Sequence, residues 1–239
     1  MIKRIRFATR RPDAAEAFPA AWPHAVAAAL DAPAGTRPSR VAVCTTLTDL
    51  TGPDPRHDGI GLEWFTDSGH LRRFQEWLDG AGRPLGRHLD GILVPDASPV
   101  LVAAESVQRG TDWLDRRWRD GGAALKHMAI AVRADGLTPA EFSTRWRDHA
   151  GRVRRPGAAN ATVIPESARG RAYVQNHPCP RATGEWAYDA LNEVYFDDEE
   201  GLRARIDWFR ENLSGRADGD LFGRSWLIAA REEVMPAGT

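Results

Sequence analysis

Lys3-Arg4-Ile5-Arg6-Phe7 and Lys126-His127-Met128-Ala129-Ile130-Ala131-Val132 are the two stretches on which the fold turns. Each opens on one of the two lysines in a chain that otherwise uses arginine, and each places an apolar side chain at every second position. That is the period of a β-strand. A helix start with a capping box follows each, Asp13-Ala14-Ala15-Glu16 and Thr138-Pro139-Ala140-Glu141. Phe18 with Trp22 and Phe142 with Trp146 then lie one helical turn apart, at an offset of 124 residues between the pairs. Further on, His57-Asp58-Gly59-Ile60-Gly61-Leu62-Glu63-Trp64-Phe65 matches Tyr188-Asp189-Ala190-Leu191-Asn192-Glu193-Val194-Tyr195-Phe196 at an offset of 131.

The remaining elements repeat as well. Val41 to Thr45 and Ala172 to Asn176 read as second strands, Val100 to Ala104 and Trp226 to Ala230 as fourth strands. Between them, Leu71, Phe74, Trp77 and Leu78 mark one amphipathic helix, and Leu202, Ile206, Phe209 and Leu213 mark the other. Each half therefore runs strand, helix, strand, strand, helix, strand, the ferredoxin-like order. A four-stranded sheet with both helices on one face leaves the other face bare, and the second copy is expected to cover it. The fold expected is α+β: tandem ferredoxin-like domains, 1–109 and 124–239, forming an α/β barrel within one chain. Residues 110–123 read as a connecting helix on the surface, while Gly80 to Pro99 and Arg154 to Gly170 read as long loops.

Composition excludes several classes. The 239 residues are 42% hydrophobic and 27% charged, with 32 basic against 33 acidic side chains. That is a globular composition, and its formal net charge of -1 offers no footprint for nucleic acid or an anionic membrane. Apolar runs such as Val26 to Leu30 and Val100 to Ala104 are far too short to cross a bilayer. Without a signal peptide at its start, the chain reads as cytoplasmic. Cys44 and Cys179 have no CxxC partner and read as buried thiols. Dinucleotide, Walker, zinc-protease and serine-hydrolase motifs are missing.

Strand alternation places Met128, Ile130, Val132, Ala172 and Val174 under the helices, leaving His127, Tyr173, Gln175 and His177 on the opposite face. Asp189, Glu193 and Tyr195 share one parity of the third strand and join that polar set. Carboxylates and imidazoles taken out of water together suit acid–base chemistry. A hydrogen-bonded polar network between the sheets explains the same residues. His149 lies on the Phe142 and Trp146 face, near the end of its helix.

Phe142-Ser143-Thr144-Arg145-Trp146-Arg147-Asp148-His149-Ala150, then Tyr173 to His177, then Tyr188 to Phe196, resemble the EthD family of dimeric α/β-barrel proteins over most of residues 124–234. The resemblance implies ferredoxin-like halves whose sheets meet face to face, and it marks His149, Asn176, His177, Asp189 and Glu193 as the recurrent polar positions. The first half departs from the pattern. Ala25 stands at the His149 position, Thr45 and Thr46 replace Asn176 and His177, and Leu62 replaces Glu193, while Pro19 and Pro23 interrupt the first helix.

The resemblance implies, and these residues allow, a cofactor-free cyclase, lyase or isomerase acting on an aromatic or polyketide-like molecule. His149 or His177 takes a proton, Glu193 or Asp189 orients or returns it, and Asn176 and Tyr173 bind an enolate oxygen. Trp146, Tyr195, Trp226 and Trp64 form an aromatic wall. The same resemblance implies as an alternative a cofactor-independent or haem-dependent monooxygenase or peroxidase, and a third reading is a binding protein without turnover. The only partner expected besides a second copy is that small molecule, and the assembly is a monomer with an internal pseudo-dimer or a homodimer of it.

Overall fold

The computed structural model describes residues 1–82, 89–152, 164–213 and 221–236, with the side chains of 148–152 and 213 excepted. Eight strands form one closed antiparallel barrel: β1 (Ile2–Ala8), β2 (Arg40–Thr46), β3 (Gly59–Phe65), β4 (Val100–Arg109), β5 (Ala123–Arg133), β6 (Ala172–Pro178), β7 (Ala190–Phe196) and β8 (Phe222–Val234). All eight strands read from the alternation are present. Around the barrel they follow the order β1-β3-β2-β8-β5-β7-β6-β4. The first four thus run β4-β1-β3-β2 and the last four β8-β5-β7-β6, the same relative order twice.

The two sets of strands do not simply face one another as separate sheets. They join edge to edge, through β2 with β8 and β4 with β6, so that every strand has two neighbours. Closure removes the unpaired backbone groups that an open sheet exposes at its edges.

Seven α-helices are described: α1 (Phe18–Ala27), α2 (Thr48–Thr51), α3 (Ser68–Asp79), α4 (Thr111–Asp120), α5 (Pro139–Arg152), α6 (Glu166–Arg169) and α7 (Glu199–Leu213). The start of α5 is built as its sequence says: Thr138 Oγ1 accepts from Glu141 N at 3.2 Å, and Glu141 Oε2 accepts from Thr138 N at 2.9 Å. The matching expectation at Asp13 fails. Asp13 takes the guanidinium of Arg11 instead, a 3-10 turn covers Pro12–Ala14, and α1 begins only at Phe18 with no side-chain cap. Nor do the prolines break α1. Pro19 lies in its first turn and Pro23 is carried within it.

A helix lies between the halves, exposed over most of its length and buried along one face. In α4, Leu114 and Arg117 are buried, and the Arg117 side chain reaches the carboxylate of Glu232 on β8. Trp118 packs edge-on against Trp64 of β3, with ring centroids 5.0 Å apart. This helix closes one end of the barrel.

Apolar side chains fill two layers. Ile5, Leu62, Leu101, Met128, Ile130, Leu191 and Ile228 pack inside the barrel. Outside it, α1 and α3 cover the first four strands, and α5 and α7 cover the last four. No helix among the described residues is long and apolar enough to cross a membrane.

Candidate functional site on the helix-covered face of the second half

The polar set expected on one face is divided by the sheet. His177 packs on Trp146 of α5, with ring centroids 4.6 Å apart, and His127 meets Phe209 of α7 at 5.3 Å, so both histidines face the helices. Glu193, Tyr195 and Asn176 face the barrel interior, beside Met128, Ile130 and Val174. The expected faces are therefore reversed for Met128, Ile130, His127, Tyr173, Gln175 and His177. Both faces of a helix-covered closed barrel are buried, so apolar alternation alone does not say which one meets the helices.

Inside the barrel Glu193 is engaged on both oxygens. Its Oε1 accepts from Lys3 Nζ at 2.6 Å and from Asn176 Nδ2 at 2.8 Å, while Oε2 accepts from Lys126 Nζ and, at 3.3 Å, from the Tyr195 hydroxyl. Lys3 also pairs with Glu105 at 2.5 Å, Lys126 pairs with Glu232, and Arg117 reaches Glu232 at 2.9 Å. Three cations meet three carboxylates. Burial opposes ionisation of Glu193, but the charges of Lys126 and Lys3 outweigh it and hold the carboxyl well below the usual range. Burial and the neighbouring Glu193 charge push the Tyr195 phenol well above its ordinary value. A carboxylate saturated by four donors is a fixed counter-ion rather than a base waiting for a proton.

The aromatic residues divide in the same way. Trp64 and Tyr195 stack against the ammonium groups of Lys3 and Lys126, at 4.7 and 4.4 Å, and Trp226 meets Tyr188 at 5.9 Å. These three belong to the barrel, and only Trp146 belongs to the helix-covered side. Asp189 is taken by Arg133, through its backbone N–H at 2.9 Å and its guanidinium at 2.5 Å. His149 falls within α5, and its side chain lies outside the described residues.

On the helix-covered face, α5 and β6 build a second polar group. Ser143 Oγ lies 3.4 Å from His177 Nδ1, Gln175 Oε1 lies 3.3 Å from Nε2, and Gln175 Nε2 donates to the Tyr173 hydroxyl at 3.1 Å. Strand spacing of two puts Tyr173, Gln175 and His177 in a row, and the α5 turn places Ser143 and Trp146 over its end. With Gln175 Oε1 accepting from Nε2, the lone pair of the ring is on Nδ1 and faces Ser143. Burial, then the charge of Arg147, pushes His177 down to about 4, so its ring is neutral at pH 7.

His127 sits on the same face, with β7 between its strand and that of His177. Its Nδ1 accepts from Arg205 Nε at 3.0 Å, which leaves the proton on Nε2, and that atom is buried without a partner among the described residues. Burial, then Arg205, keeps this ring neutral as well. Among the described residues no group of three histidine, cysteine or acidic side chains could hold a metal.

Sequence reasoning missed Lys3, Lys126, Glu105, Glu232, Arg205 and Ser143. The signal for the lysines was present, since the only two in the chain open the first strand of each half. The alignment of the second strands also shifts by one: Asn176 pairs with Leu191 and Cys44 with Ile60, so Cys44 takes the Asn176 place and Thr45 that of His177.

Residues 134–213, about a third of the chain, match the EthD domain model. No curated protein matches the chain in sequence. Among solved structures, an anthrone oxidase-like protein superposes with a TM-score of 0.57 at 14% identity, over 100% of this chain and 93% of its own. A candidate monooxygenase from Fusobacterium nucleatum superposes with a TM-score of 0.51 at 11% identity, over 98% of this chain and 92% of its own. At these identities the likeness is one of fold: a closed eight-stranded barrel with outer helices.

Proposed function

We propose that the protein is an enzyme that removes a proton from an activated carbon or hydroxyl of an aromatic, polyketide-like molecule, on the helix-covered face of its second half. One observation carries this reading. His177 is a neutral imidazole against an indole ring, inside the segment that matches the EthD domain. A base held low is in the accepting form at pH 7, and the enolate it generates raises its basicity by opposite charge. Tyr173, linked to His177 through Gln175, supplies a donor for the developing oxyanion. His127 takes no part: it lies level with Tyr173 across β7, four residues along β6 from His177, which puts the two histidines about 16 Å apart by strand spacing and rise.

The chain is read as two copies of one ferredoxin-like unit of which only the second carries this chemistry. The repeated strand order, the paired Lys3–Glu105 and Lys126–Glu232 bridges, and the offsets of the repeats support the duplication. Leu62 in the place of Glu193, and Ala25 in the place of His149, support the division of labour. His149 stays a second candidate base, since Ala25, its counterpart, lines a cavity in the first half.

A second reading shares the same proton transfer. The anthrone oxidase-like neighbour suggests that the carbanion then meets dioxygen, so that a ring CH2 becomes C=O with one oxygen atom retained and the other released as water. Oxygen uptake with an anthrone as substrate separates the two. Turnover without uptake supports isomerisation or cyclisation, and stoichiometric uptake with a quinone product supports oxygenation. Anthrone turnover by the His177→Ala and His149→Ala variants at the wild-type rate overturns both.

A further inference from the structure

A cavity of about 380 Å³ opens in the first half, between α1, α3 and the outer face of β1 and β3. It is separate from His177, whose strand β6 is parted from β1 by β4, and takes no part in the reaction above. Ala25, Val26 and Ala29 of α1, with Phe74 and Leu78 of α3, give it apolar walls. Its floor carries charge: Arg4, Arg6 and Glu63.

The two arginines are not equivalent. Arg4 donates to Glu63 at 2.6 Å, so that cation is neutralised within the floor. Arg6 is partly buried two residues along the same strand, and no described residue gives it a hydrogen bond or an ion pair. Burial, and then the charge of Arg4, pushes its guanidinium down to about 10 against the weaker pull of Glu63, which is already paired with Arg4, and of Asp90. Asp79 and Asp90 are exposed carboxylates nearby, screened by solvent, and neither is within ion-pair distance of it.

The second half does not repeat this arrangement. Arg4 faces Glu63 and Arg6 faces Gly61 across β1 and β3, whereas His127 faces Val194 and Ala129 faces Asn192 across β5 and β7. Neither the ion pair nor the free guanidinium has a counterpart. The charged floor is a property of the first half alone.

We infer that this cavity is a separate binding site for a small organic carboxylate with an apolar body, its carboxylate held by the Arg6 guanidinium and its body lying between Val26, Phe74 and Leu78. A guanidinium presents donors in a planar fork that matches both oxygens of a carboxylate. The volume falls within the range of small-molecule pockets. A neutral ligand of the same shape would leave the Arg6 donors unmet.

The test uses the wild-type protein and three probes: phenylacetate, benzoate and the neutral benzamide, titrated calorimetrically and by the Nε–H nuclear magnetic resonance signal of Arg6. The carboxylates should bind and move that signal, while benzamide should do neither. The Arg6→Gln variant should weaken carboxylate binding about tenfold or more, with an unchanged circular dichroism spectrum. Equal binding of benzoate and benzamide, an unmoved Arg6 signal, wild-type affinity in Arg6→Gln, or no carboxylate binding up to about 10 mM would each overturn the assignment. Because the readout is equilibrium binding without turnover, its failure is distinct from failure of the His177 reading.

Discussion

Lys3 and Glu193 are 190 positions apart in the chain and meet at 2.6 Å inside the barrel, where neither side chain reaches solvent. The contact ties the first strand of one half to the third strand of the other. The second oxygen of the same carboxylate takes Lys126, the counterpart of Lys3. One carboxylate thus stands where β3 has Leu62 and neutralises charge from β1 and β5 together.

Removing that carboxylate leaves buried ammonium charge without its partner. Glu193→Gln is expected to destabilise the protein by about 3–5 kcal/mol in urea unfolding. Lys3→Met combined with Glu193→Gln should cost less than the sum of the two single changes, because the pair is then removed together.

The buried histidines make stability fall on the acid side. His57, pushed to about 3 by burial and then by Arg56, is neutral in the folded protein, while an unfolded histidine titrates at its ordinary 6.5. The unfolded chain therefore binds more protons between these values, and the contribution of His57 is complete above pH 6.5 and lost as pH falls toward 3. Such a group changes stability by at most about 1.4 kcal/mol per pH unit, and His127 adds to the slope. Glu193 and Glu105, both lowered, add a further loss below pH 4.5. Urea midpoints measured from pH 7.5 to 4 should decline throughout, and His57→Gln should flatten the upper part of that decline.

The neutral rings also have defined tautomers. His127 accepts at Nδ1 from Arg205, so its proton should be on Nε2 at pH 7. Long-range nitrogen–proton correlation spectra of the imidazoles check this, and Arg205→Met should release the preference.

Gly110 joins β4 to α4, and thereby the first half to the second, at φ +82°. A Cβ there would lie 2.3 Å from the carbonyl oxygen of Arg171. Gly110→Ala is expected to cost about 1–3 kcal/mol from the left-handed backbone, with the clash in addition, read as a fall in melting temperature.

The strands were legible because alternation survives translation from sequence to barrel: Lys3 to Phe7 and Lys126 to Val132 both became strands in the expected places. The faces were not legible. Met128 and Ile130 look like residues that belong under helices, and nothing local distinguishes that side from a barrel interior that is also dry. Asp13 shows a different limit, since a nearby guanidinium competed successfully with the helix terminus for its carboxylate. Within the candidate site, His177 and Trp146 came together against the expectation that turned His177 away from the helices. Glu193 did not join them, because its register points it toward two lysines whose pairing is set by contacts 67 and 190 residues away.

The most direct test is deuterium uptake at the ring CH2 of anthrone, followed by proton magnetic resonance under nitrogen, so that no oxygen chemistry intervenes. Wild-type protein should accelerate exchange, and His177→Ala should lower the enzymatic rate about 100-fold or more, while the Glu193→Gln variant, where folded, retains it. Undiminished exchange with folded His177→Ala, or loss of exchange in folded Glu193→Gln alone, would contradict the assignment of proton transfer to the helix-covered face.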